Sequence, residues 1–230
     1  MGNNHKGFTL IELLVAMTVG LVVMAGVSMT FRSQQKSYLL QEQMAAMQQN
    51  LRAAMFHMER EIRVAGCDPN LTASAQFVTA NATSMTFTQD LRGTTEGSLP
   101  DGDTDDPNEN ITYYLNDIDM DGRGDELRRI DTNPGGIGNQ VIADNISALN
   151  FVYLDQAGTQ LDDDGAGNVT TGIPQIRSVE ITLLARTGRG DRGFQNNTVY
   201  QVGGAVFVAP GDNRRRKLLT TGIKCRNLGL

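Results

Sequence analysis

Tryptophan is absent from this 230-residue chain, and histidine and cysteine occur only twice each. With His5 and His57 as the whole imidazole inventory, histidine-based acid–base or metal chemistry has almost nothing to work with. Aromatic residues make up 6% of the chain, too few to suggest a stacking platform for bases or sugars. Cations are outnumbered 20 to 26, the net charge is −6 and the pI is near 4.9, a balance that argues against nucleic acid as a partner. No Walker A, HExxH or GxSxG motif occurs. Gly188 to Gly193 matches GxGxxG, but Phe194-Gln195-Asn196-Asn197 follows it and does not open a helix, so the segment reads as a loop. The chain reads as a non-enzyme.

The acidity is uneven. Between Asp90 and Asp164 lie 18 of the 26 acidic residues, against Arg92, Arg123, Arg128 and Arg129. Asp117, Asp119, Asp121 and Asp125 stand at positions 1, 3, 5 and 9 of a calcium-type loop with Gly122 at position 6. Position 12 is Arg128, where an EF-hand would place a bidentate Glu, so the segment is a partial Ca2+ site or a solvated acidic hairpin. Asp101, Asp103, Asp105 and Asp162 to Asp164 are weaker candidates for the same chemistry. Arg214 to Lys217 reads as a solvated turn.

The N-terminus carries the strongest signal. A short polar stretch, 1–7, precedes Phe8 to Phe31, an almost entirely apolar run. About 24 residues at about 1.5 Å each reach across a hydrocarbon core of roughly 30 Å. Glu12 interrupts the run, and a carboxylate there costs on the order of 2.5–3.5 kcal/mol on insertion scales, so it is expected to have a partner. A cleaved secretory signal fits poorly: the run exceeds an ordinary h-region, no convincing A-x-A site follows, and the helical pattern continues. Leu40, Met44, Met47, Leu51, Met55, Met58, Ile62 and Ala65 draw one stripe down a helix. Gly66 and Pro69 supply its stop. A helix of about 55–60 residues is expected, with 8–31 spanning the membrane and 32–66 amphipathic.

Gly7-Phe8-Thr9-Leu10-Ile11-Glu12-Leu13-Leu14-Val15-Ala16 resembles the prepilin cleavage and methylation motif of type IV pilins and type II secretion pseudopilins. The resemblance implies that prepilin peptidase removes the 1–7 leader after Gly7 and methylates Phe8. Glu12, fifth from the new N-terminus, then becomes the assembly carboxylate that meets an N-terminal amine. Beyond Gly66, β-like runs at Gln76–Ala80, Ser84–Thr88, Asn110–Leu115, Glu126–Asp131, Ile146–Leu154, Ile176–Ala185, Val199–Val208 and Leu218–Cys225 alternate with Gly, Asn and Asp. The expected fold is α+β, a long N-terminal helix packed on an antiparallel sheet within a β-rich domain over 67–230.

Asn213 to Leu228, with Arg63-Val64-Ala65-Gly66 and the strands at Ile146–Asp155 and Ile176–Arg186, is similar to PilW-type minor pilins. That implies a scarce subunit of the inner membrane and later of the pilus filament. Its partners would be other minor and major pilins and a tip adhesin, and its roles pilus assembly, adhesion and twitching motility. A J-type pseudopilin of type II secretion is the nearest rival, and a membrane-anchored periplasmic binding domain that never polymerises is an alternative of another class. In the oxidising periplasm Cys67 and Cys225 have two readings, a bridge closing nearly the whole globular part or two buried free thiols.

Overall fold

The computed structural model describes residues 7, 9–95, 97–121 and 123–229. The expected leader residues 1–6 and the methylation residue Phe8 lie outside them. The chain divides into two compact units, Met1–Gln43 and Met44–Leu230. Helix α1 (Leu10–Ile62, 53 residues) supplies the described part of the first and enters the second.

In the first unit, every residue from Leu10 to Leu39 is exposed. Thr18 Oγ1 donates to Leu14 O and Val15 O, Ser28 Oγ to Met24 O, and Thr30 Oγ1 to Gly26 O. Each hydroxyl is thus satisfied by its own helix, which a lipid-facing segment requires.

In the second unit the stripe read from the sequence becomes a buried seam of Met47, Leu51, Ala54, Met55, Met58 and Ile62. Ala65 and then Gly66 close the helix. Gly66 sits at φ +75, donates to Thr88 O, and leaves no room for a Cβ because the Leu228 side chain fills the space.

A five-stranded antiparallel meander follows: β1 (Phe77–Ala80), β2 (Ser84–Thr88), β3 (Asn110–Asn116), β4 (Glu126–Asp131) and β5 (Asn139–Asp144), adjacent in that order. Asn145, at φ 58, is the single residue between β5 and β6 (Ile146–Leu154), and it turns the chain into a second sheet. That sheet is antiparallel, ordered β11-β8-β6-β7, with β7 at Gln160–Leu161, β8 at Ser178–Arg186 and β11 at Arg216–Lys224. The remaining pair, β9 (Val199–Val202) and β10 (Ala205–Val208), forms a hairpin.

One core joins the helix seam to Phe77, Met85, Phe87, Ile111, Tyr113 and Leu127 of the meander and to Phe151, Tyr153, Val179, Ile181 and Leu183 of the second sheet. Strand β8 alternates Val179, Ile181, Leu183 and Ala185 on one buried face, and the structure also buries Thr182 and Leu184 on the other. Val202 of the hairpin is buried too, and Gly204 N donates to Asn150 Oδ1 on the neighbouring strand β6, so part of the sheet's other face is covered. The long helix, its stop and the eight strand regions match the expectation. The predicted strand at Val199–Val208 is two strands split by Gly203-Gly204, and β5 and β7 are additions.

Candidate functional site

The N-terminal end of α1 is a reciprocal cap. Thr9 N–H and Oγ1–H both donate to Glu12 Oε2 at 2.8 Å, and Glu12 N–H returns a bond to Thr9 Oγ1 at 3.3 Å. This is a capping box, with Thr9 as N-cap and Glu12 three residues on. The carboxylate that the sequence marks as costly in lipid therefore spends part of its hydrogen-bonding capacity on its own helix. Around it stand Leu10, Ile11, Leu13 and Leu14, all exposed, and the apolar surface continues to Phe31. Such a surface suits a bilayer or the apolar face of another helix.

The acidic loops separate into three kinds. Carboxylate oxygens of Asp117, Asp119 and Asp125 lie within 4.8 Å of one another. Asp121 is outside this group, its carboxylate paired with Arg123 at 3.2 Å, because that short side chain is turned to the next residue but one. Asp125 is held by the Arg186 guanidinium and accepts Ile118 N–H at 2.9 Å, and Arg128 pairs with Glu126 at 2.7 Å. A cation in this loop would compete with an arginine. In the 162–164 loop, Asp163 Oδ2 accepts the Thr170, Thr171 and Gly172 amides. Those bonds, Thr171 foremost, hold its carboxyl well below the usual range. Asp164 is occupied likewise by Ala166 and Asn168. The 101–106 loop brings together Asp101, Asp103 and Asp106; Asp105 is not one of the three.

Cys67 and Cys225 stand as free thiols in the structure, the second buried and the first half-buried. Cys225 belongs to the buried core, and burial pushes its thiol up to about 12. Cys67 is half-buried in the turn after the helix; burial, then Asp90 and Asp68, push its thiol up.

Two polar clusters escaped the sequence reading. Glu61, on the last turn of α1, accepts Arg129 Nε at 2.9 Å and the Tyr113 hydroxyl at 2.5 Å. His57 Nδ1 lies 2.9 Å from the same hydroxyl, and Arg129 Nη2 donates to Asn108 Oδ1 at 3.0 Å. Arg129 is 2% exposed. The signal was available: Leu127, Arg129 and Asp131 alternate on the inward face of β4, and an inward cation demands a partner. The second cluster corrects the expected solvated turn at Arg214 to Lys217. Arg214 donates to Thr187 O and Gly188 O, Arg215 pairs with Asp191 and Arg216 with Asp212. Three of its four cations tie down the 187–213 loops, and Arg216 is 1% exposed at its side chain.

An apolar N-terminal helix that enters an antiparallel sheet domain, with one carboxylate near its start, defines a type IV pilin-like protein. The fold is similar to that of the type IV-like pilin TTHA1219 from Thermus thermophilus, with a TM-score of 0.51 and 16% identity over 79% of this chain and 96% of that one. Residues 2–28 match the prokaryotic N-terminal methylation motif. Residues 112–227 match the family model of Type IV Pilus-assembly protein W, half of the chain, and the chain belongs to that family. A search of the curated proteins gave no match.

Proposed function

We propose that this chain is a minor subunit of a type IV pilus, cut by prepilin peptidase after Gly7, methylated on Phe8, and active by assembling rather than by catalysis. The observation that carries the reading is the exposed apolar helix surface from Leu10 to Phe31 with Glu12 at its start, on a chain of the pilus-assembly protein W family. Until assembly, 8–31 holds the subunit in the inner membrane with the domain in the periplasm. Extraction from lipid becomes favourable when apolar helices of other minor and major pilins replace the acyl chains. Glu12 selects among registers: a carboxylate and an ammonium, each costly alone in an apolar surrounding, cost little when they meet. The capping box leaves Glu12 Oε1 for the amine of a neighbouring subunit while Oε2 keeps the helix start. A tip adhesin is a further partner of such a subunit.

The test is a clean deletion complemented with the natural chain or with Glu12→Ala, scoring sheared surface pili and secreted enzyme activity together. Lost pili with normal secretion, not rescued by Glu12→Ala, is the expected result. Normal pili with blocked secretion would place the chain in a secretion pseudopilus instead. Mature protein retaining residues 1–7 would refute processing and favour a non-polymerising anchor.

A further inference from the structure

We propose that the loop carrying Asp101, Asp103 and Asp106 is a binding site for one hard divalent cation, of which calcium fits best. The three carboxylates each offer an oxygen, all within 4.8 Å of one another. Two oxygens on one calcium, each about 2.3–2.6 Å from the ion, can stand up to about 5 Å apart. Carboxylate oxygens alone, without imidazole or thiolate, select a hard ion.

A cluster of exposed aspartates would not carry this reading, but Asp106 is not exposed. It is 4% accessible, and its Oδ2 is buried with no hydrogen-bond partner among the described residues. Asp90, 0% accessible, stands beside the loop with Oδ2 accepting Gly102 N–H at 3.1 Å and Oδ1 buried with no hydrogen-bond partner among the described residues. The neighbouring buried carboxylates show how the fold treats acids it uses for structure. Glu109 accepts the amides of Leu91, Arg92 and Asp106, and Asp131 those of Asn108 and Asn133. Burying an acid without such donors is expensive, and a cation or a proton is what removes the expense.

The loop is held in place before any ion arrives. Asn70 Nδ2 bonds Pro100 O, Thr72 Oγ1 bonds Gly102 O, and Asn133 Nδ2 bonds both Thr104 O and Asp106 O. Gly93 makes room for Asp101: a Cβ there would come within 2.9 Å of Asp101 Oδ2. The loop's own aspartates answer one another, Asp105 N–H donating to Asp103 Oδ1 at 3.2 Å. Around the site, Asp68, Asp90, Asp105 and Glu109 add negative charge, and Arg92 is the cation that acts on Asp106. Burial foremost, then the repulsion of Asp101 and Asp103, holds the carboxyls of Asp90 and Asp106 above their ordinary values. In the two other acidic loops the carboxylates Asp125 and Asp163 are engaged by the protein itself, Asp125 by the Arg186 guanidinium and Asp163 by three backbone amides.

The test uses the full chain in detergent micelles, dialysed against chelator and then titrated with CaCl2 by calorimetry. The expected dissociation constant for a site of this openness is about 10⁻⁴–10⁻³ M. Asp106→Asn and Asp103→Asn each weaken binding at least about tenfold, a lost carboxylate ligand, whereas Asp119→Asn in the other loop leaves it unchanged. Asp106→Asn also keeps or raises the melting temperature in chelator, because it removes a buried charge; an acid with a structural role would lower it. Should Asp106→Asn fail to fold, exposed Asp103→Asn carries the test. No binding by the natural chain up to about 10 mM, well past the weak extracellular range, overturns the proposal. So does binding that survives both loop substitutions or that disappears with Asp119→Asn.

Discussion

Replacing Glu61 by Ala removes the anion from a pair whose cation cannot leave. Arg129 is 2% exposed, its Nη1 has no hydrogen-bond partner among the described residues, and its Nε depends on Glu61 at 2.9 Å and 3.2 Å. Its Nη2 also donates to Asn108 Oδ1 at 3.0 Å. Breaking a buried pair in this way costs about 3–5 kcal/mol, most of it the desolvation of the charge left behind. For a domain of this size each kcal/mol moves the melting temperature by about 2–4 °C, so a fall of about 6–20 °C is expected. The assay is thermal and urea unfolding of the full chain in micelles, followed by far-ultraviolet circular dichroism. A double variant, Glu61→Leu with Arg129→Met, is expected to recover most of the loss, because apolar side chains of similar volume fill the space with no charge to bury. Tyr113 keeps His57 as a partner in that background. A Glu61→Ala chain within about 1 kcal/mol of the natural one, the range of an exposed pair, would refute the reasoning. It would show that Arg129 escapes to water and that the pair adds nothing beyond what a surface ion pair gives.

Gly66→Ala is expected to lower stability by about 1–2 kcal/mol, since φ +75 disfavours an L side chain and the new methyl must displace Leu228; an unchanged urea midpoint would contradict the packing described. Asp163→Ala should speed amide exchange at Thr170, Thr171 and Gly172 by removing their shared acceptor. The Asp163 carboxyl is held below its unfolded value of about 3.9, so its contribution is present above that pH and lost as pH falls through the folded value. The variant should therefore lose less stability than the natural chain on acidification below about pH 4. His57 behaves in the same direction: burial foremost, with Arg129 and Arg60, outweighs Glu61 and holds its imidazole below the ordinary value. Its share of stability is present above about pH 6.5 and declines on acidification, a slope that His57→Gln should remove. In thiol titration without reductant, Cys67 should react in the folded chain and Cys225 only after unfolding; no titratable thiol in denaturant would establish the bridge instead.

The pattern that was legible in the sequence is the kind that one element expresses by itself. The stripe from Met47 to Ile62 appears as a buried seam because helical periodicity fixes which side chains share a face, whatever covers them. Strand β5 was not legible: its apolar run is only Val141-Ile142-Ala143, and of Asn139 to Asp144 only Ala143 is buried, so its pairing with β4 rests mainly on backbone hydrogen bonds. Strand β7, two residues long, has none either. The acidic loops show the limit most clearly. Spacing singled out Asp117, Asp119, Asp121 and Asp125, yet Arg186, sixty-one residues further along, neutralises Asp125. Spacing ranked the 101–106 loop lower, though there the fold buries a carboxylate and withholds its donors.

By itself, then, the sequence determined the membrane-length apolar helix, the carboxylate set at its start, the helix stop at Gly66 and the alternation that makes most of the strands. Each depends on residues a few positions apart, where geometry is dictated by the backbone. The tertiary structure alone decided which charges are satisfied: Glu61 with Arg129, Arg216 with Asp212, and Asp90 and Asp106 each left with an oxygen unpaired among the described residues. A charge is costly or cheap according to what surrounds it in space, and for most of these groups the surroundings come from parts of the chain far apart in order.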